Sequence, residues 1–165
     1  MTYGFNAGEV FKVAVQIEEN GRKFYEEIRQ NIEGDEIKEL FADLALQEVE
    51  HKSKFEMLLA QLPPESRSST VWDPDNELDQ YIKVMADDHV FVSSAGVQKQ
   101  VDAIRDATDA LQLAIEFEKD SILFFLSLEE AMSGKMDQEL IKSLVKEEQE
   151  HLRRLTLELR KILNR

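Results

Sequence analysis

Two stretches decide the fold, ALQEVEHKSKF at residues 45–55 and VKEEQEHLRRL at residues 145–155. Each holds a Glu-x-x-His, Glu48 to His51 and Glu148 to His151, and the two motifs lie 100 residues apart. On a helix, residues i and i+3 project from the same face, so each Glu points with its His. The direction in which they point is the informative part. Leu44, Glu48, His51, Phe55 and Leu58 form one continuous stripe, and Leu144, Glu148, His151 and Leu155 form another. A helix buries such a stripe. The ionisable groups therefore stand where the pattern demands core residues.

The 100-residue offset extends outward from these motifs. Ala14 matches Ala114, Glu18 matches Glu118, Phe24 matches Phe124, and Glu39-Leu40 matches Glu139-Leu140. The chain reads as two copies of one helical hairpin. Four long helices are predicted, over about 7–31, 35–61, 108–132 and 137–163, with Asn6, Asp35 and Asp137 as candidate N-caps. Their apolar stripes include Phe11, Ala14, Val15, Tyr25 and Ile28 in the first and Leu111, Ala114, Ile122, Phe125 and Leu128 in the third. Pro63-Pro64 stops the second helix. The connection from 63 to 106 is too long for a plain loop in a compact domain. It is predicted to carry a short helix around Leu78, Tyr81, Ile82 and Met85, with Trp72 and Tyr81 anchoring it to the bundle. A connection of that length can return along the bundle and leave the second and third long helices parallel. The expected fold is thus all-α, a ferritin-like four-helix bundle with one long crossover, built as hairpin 7–61, crossover 63–106 and hairpin 108–163.

The four Glu residues fall at matching heights. Glu18 and Glu48 are equidistant from the turn at Glu33-Gly34, and Glu118 and Glu148 from Ser133-Gly134. At about 1.5 Å per residue each lies roughly 22 Å from its turn, so all six groups can converge on the middle of the bundle. Four carboxylates in an apolar core repel one another and lose several kcal/mol each in hydration. They take up protons unless a counter-charge is present. Two divalent cations would neutralise them, and two imidazoles complete a nitrogen and oxygen donor set suited to iron, manganese or zinc. One Glu-x-x-His on a Glu-rich helix reads as a solvated pair. Two of them on apolar stripes, level with two further Glu, read as the ligand arrangement of di-iron carboxylate bundles. The predicted metal ligands are Glu18, Glu48, His51, Glu118, Glu148 and His151.

Composition narrows the alternatives. The 165 residues fit one domain spanning 1–165, and 42% hydrophobic content supports a real core. A net charge of −14 argues against nucleic acid or an anionic membrane surface as partner. The chain has no cysteine, which excludes disulfides, thiolate metal sites and a Cys nucleophile. No basic segment with a following apolar run opens the sequence, and no stretch approaches the length of a membrane span, so a cytoplasmic location is expected. His89, the one histidine outside the two motifs, follows Asp87-Asp88 and is expected in a solvated linker.

The stretches AVQIEENGRKFY, ALQEVEHKSKF, AIEFEKDSILFF and VKEEQEHLRRL resemble the rubrerythrin branch of the ferritin-like superfamily across all four long helices. The resemblance implies that Glu48 and Glu148 bridge two iron ions, that Glu18 and Glu118 bind terminally, and that His51 and His151 hold one iron each. It also places Tyr25 at the family's tyrosine position behind the ligands, with Phe125 at the equivalent point of the other half. It implies an oxidoreductase that reduces peroxide or oxygen. A ferroxidase or iron-handling protein, or a redox-silent metal-binding bundle, would use the same residues. Full-length rubrerythrins carry a Cys-rich rubredoxin domain, absent from this chain, so a separate rubredoxin-like electron donor is expected. Ser121 stands where the family commonly has an additional Glu, and slower or less peroxide-selective turnover is expected from that change. A homodimer is the expected assembly.

Overall fold

The computed structural model describes residues 7–62, 80, 84, 89, 94–132 and 135–164. Among them are five helices and no strand: α1 Ala7–Asn31, α2 Asp35–Gln61, α3 Ser94–Asp102, α4 Ala107–Ala131 and α5 Lys135–Leu163. The four long helices are the four that the periodicity predicts. Their ends show where local chemistry departs from expectation. Gly34 turns the chain between α1 and α2 at φ 103, a conformation that only glycine adopts cheaply. It occupies the cap position itself, so Asp35 falls in the first turn of α2, where its charge meets the positive end of the helix dipole. Helix α5 likewise begins at Lys135, which puts Asp137 in its first turn rather than at its cap. Asp106 caps α4 instead, its carboxylate accepting from the Asp109 N–H at 2.9 Å. Asn6, Trp72, Leu78, Tyr81, Ile82 and Met85 lie outside the described residues, while Gln80 and Val84 have helical backbone.

Helix α3 was not anticipated. Its sequence, SAGVQKQVD, offers only Val97 and Val101 as an apolar face, and both are buried. It packs against α1, with Gln98 Nε2 donating to Glu27 Oε1 at 3.1 Å.

Cross-helix pairs fix the topology. Glu36, Asp43 and Glu147 meet Lys161, Arg154 and Lys54 respectively, at 2.6–2.7 Å. As numbering rises along α2 it falls along α5, so these helices are antiparallel. The α4–α5 hairpin is antiparallel too, with Glu118 beside His151 and Glu129 beside Lys142. Helices α2 and α4 are therefore parallel, as the long crossover demands.

The core is rich in rings. Phe11, Phe55 and Phe125 pack in succession as tilted rings at centroid distances of 6.3 and 4.8 Å, and Phe24, Tyr25 and Phe41 form a second group. All six are fully or almost fully buried, each contributing about 1.5–3 kcal/mol over the exposed state. Among the described residues no helix is long and apolar enough to cross a membrane.

Candidate metal centre

All six groups singled out by the stripes meet at the middle of this bundle, where none exposes more than 1% of its surface. Glu18 comes from α1, Glu48 and His51 from α2, Glu118 from α4, and Glu148 and His151 from α5. They form two overlapping clusters, Glu18, Glu48, His51 and Glu148 in one and Glu48, Glu118, Glu148 and His151 in the other. Within each, one donor atom per residue lies within 4.8 Å of the rest. Glu48 and Glu148 belong to both. Glu148 sets Oε1 2.7 Å from His51 Nδ1 and Oε2 3.0 Å from His151 Nδ1. Glu48 divides its oxygens in the same way, at 3.7 and 3.6 Å. Of the two histidines, Glu18 approaches His51, at 3.6 Å, and Glu118 approaches His151, at 3.4 Å. The two rings lie nearly parallel, 16° apart with centroids 5.3 Å apart.

The outer nitrogens of the rings settle which inner atoms can act as donors to a cation. His51 Nε2 lies 3.0 Å from Glu147 Oε2. Two neighbours, the His51 ring first and Lys54 next, hold Glu147 at about 2 against the opposing effect of burial, so it is a carboxylate that can only accept. The proton therefore sits on Nε2. His151 Nε2 lies 2.8 Å from Gln47 Oε1, whose amide nitrogen donates to Asp43 Oδ2 at 2.9 Å. That second bond orients the amide and again places the ring proton on Nε2. In the neutral rings both Nδ1 lone pairs then face carboxylate oxygens. Glu147 and Gln47 were missed in the sequence. Each stands one residue before a motif Glu, but each serves the histidine of the opposite hairpin.

The cluster's polar atoms go unsatisfied. Both oxygens of Glu18, Glu48 and Glu148, one of Glu118, and Nδ1 of both histidines are buried without a hydrogen bond of acceptable geometry. Buried groups of this kind almost always have partners. Burial, with the charges of Glu18 and Glu148, pushes Glu48 well above the ordinary carboxylate range, and burial with Glu148 does the same to Glu118. Burial would also raise Glu148, but His51 and His151 outweigh it and hold it well below. It would lower His151, which Glu118 and Glu148 instead carry up to about 11. The cluster calls for positive charge, and either protons or cations can supply it.

Two further groups adjoin the cluster. Tyr25 is fully buried, and its hydroxyl donates to Glu118 Oε1 at 2.5 Å. Phe125, its counterpart in the repeat, carries no hydroxyl. The expectation for His89 is overturned: it is only 3% exposed, with Nε2 3.1 Å from Ser121 Oγ and its ring edge-on to Phe117. The small Ser121 side chain leaves room for the ring, and burial lowers His89 to about 4.

The model of the rubrerythrin family matches residues 9–159. The chain belongs to the rubrerythrin family. No curated protein matches it. The fold of this rubrerythrin-family chain is similar to that of a Thermotoga maritima protein, crystallised as a candidate ferritin-like diiron-carboxylate protein, with a TM-score of 0.70. The two are 24% identical, over 97% of this chain and 98% of that one. Such a likeness speaks for the fold, and the family match agrees with it.

Proposed function

We propose that this rubrerythrin-family protein holds two iron ions between its hairpins and reduces peroxide or oxygen with electrons from a separate donor. The observation that carries the reading is the overlap of two four-residue clusters through Glu48 and Glu148, with their buried atoms unsatisfied by the protein. The donor set fits the group. Carboxylate and imidazole suit iron, with manganese and zinc as competitors, and four carboxylates balance two divalent charges. Glu48 and Glu148 would hold both ions, Glu18 with His51 one, and Glu118 with His151 the other.

When bound, a pair of iron ions supplies two electrons, one from each, which matches the two-electron reduction of peroxide. The chain's own residues do the rest. Glu147 and Gln47 keep the rings turned with Nδ1 inward. Tyr25 holds a proton at its hydroxyl against Glu118 and fixes that carboxylate's orientation. Phe11, Phe55 and Phe125 on one side and Phe24 and Phe41 on the other keep bulk water out of the bundle's middle. Without cysteine the chain has no Cys-ligated electron relay, so turnover needs an external reductant such as a rubredoxin-like protein. A homodimer in the cytoplasm completes the proposal, and solution mass measures the first of these.

Stopped-flow mixing of the iron(II)-loaded protein with peroxide, and separately with oxygen, tests the chemistry. Oxidation of both irons followed by re-reduction by an added donor is the expected result. Oxidation no faster than that of free iron in buffer would replace the enzyme with a redox-silent metal protein.

A further inference from the structure

The two halves of the centre are related by the 100-residue repeat, yet the groups behind the two histidines differ in charge. Behind His51 stands Glu147, an anion held by Lys54 Nζ at 2.7 Å and by Ser143 Oγ at 3.3 Å. Behind His151 stands Gln47, a neutral amide tied to Asp43, which in turn pairs with Arg154 at 2.7 Å. A carboxylate accepting the Nε2 proton pushes electron density onto the imidazole and makes Nδ1 a stronger donor, whereas an amide oxygen does so much less. Lys54 offsets most of the anion's field at a distance, so the difference between the halves acts through the Nε2–H bond itself.

We infer that Glu147 and Gln47 make the two metal positions unequal, so that a cation binds first and more tightly beside His51 and second, more weakly, beside His151. Glu147 is a positioning residue that acts through the ring. The inference rests on the dinuclear reading above and concerns the order of filling, which the repeat alone would leave degenerate. The position beside His151 is then the one that exchanges its ion.

The test is a titration of the metal-free full-length protein with cobalt(II), followed by its visible absorption bands and by competition with a chelator. Two resolved steps are expected. A crystal grown with one equivalent of cobalt should show anomalous density beside His51. Glu147→Gln keeps the shape and the hydrogen bond but removes the charge. It should weaken the first step roughly 10–100-fold, the usual cost of disturbing a ligand's outer partner, and bring the two steps together. Gln47→Glu should strengthen the second step, a gain that a merely structural role would not produce. Two wild-type steps of equal affinity, single-equivalent density beside His151, or an unaltered isotherm in both variants would each overturn the inference while leaving the dinuclear reading intact. Failure of the wild type to bind cobalt would overturn both.

Discussion

Replacing Tyr25 with Phe removes one oxygen atom and little else. The ring keeps its contacts with Phe24, Phe41 and Phe117, at centroid distances of 5.2, 5.3 and 6.0 Å. What disappears is the bond to Glu118 Oε1, 2.5 Å long and wholly buried. Its worth depends on the charge of Glu118. Burial raises that carboxyl and so favours its neutral form when no metal is bound; to the neutral form the bond is worth about 0.5–1.5 kcal/mol. With a cation bound Glu118 is ionised, and a hydrogen bond to a charged group is worth about 1.5–3 kcal/mol. For a chain of this size, 1 kcal/mol shifts Tm by about 2–4 °C. Tyr25→Phe should thus lower Tm by about 3–12 °C in the metal-loaded protein and by about 1–6 °C after chelation. Calorimetry on both forms measures the pair of shifts, with metal analysis to establish that saturating metal still fills the site. Equal shifts in the two forms would refute the reasoning, because they would mean that Glu118 carries the same charge with and without metal.

Other expectations follow from single contacts. Glu48→Ala should abolish binding of at least one metal ion and shrink the metal-dependent rise in Tm, since a ligand that binds only the native state stabilises by mass action; metal analysis and paired melts check it. Gly21→Ala gains about 1 kcal/mol of helix propensity but puts a methyl group 2.5 Å from Phe117 Cζ, an overpacking that costs about 1–3 kcal/mol. A net loss of up to about 2 kcal/mol is expected in urea unfolding, and Phe117→Leu in the same chain should recover part of it. Arg22 first, and then Lys52, hold Glu19 down at about 2, against the opposing effect of burial. A depressed carboxyl stabilises the fold above its ordinary value of 4.5 and loses that contribution as pH falls through about 2. Glu19→Gln should therefore flatten the acid limb of the stability curve of metal-free protein, read from denaturant midpoints between those two pH values.

The buried Glu and His cluster was legible because burial and ionisability conflict in the sequence itself. Glu48, His51, Glu148 and His151 interrupt apolar stripes at core positions, and only a shared counter-charge reconciles them. What escaped depends on partners that the local sequence does not name. Gln47 and Glu147 look like surface residues of Glu-rich helices until the opposite hairpin brings a histidine to each. His89 has acidic neighbours that speak for solvent, while the groups its buried ring meets, Ser121 and Phe117, lie about 30 residues further on. Residue type alone points to Asp35 and Asp137 as caps, but α2 takes Gly34 at that position and α5 already begins at Lys135. Helix α3 has two valines for a face, too few for periodicity to register.

Each four-residue cluster takes three members from one hairpin and borrows the fourth, Glu148 or Glu48, from the other. Neither hairpin supplies a whole cluster, so a cation bound in either position would clasp the two halves across their seam. A symmetric pair of identical hairpins would present the same six donors, but every change would then appear twice. Joined in one chain, the halves can diverge while still sharing one centre. Tyr25 can face Phe125 across the repeat, and Glu147 can face Gln47, without either choice being imposed on its twin.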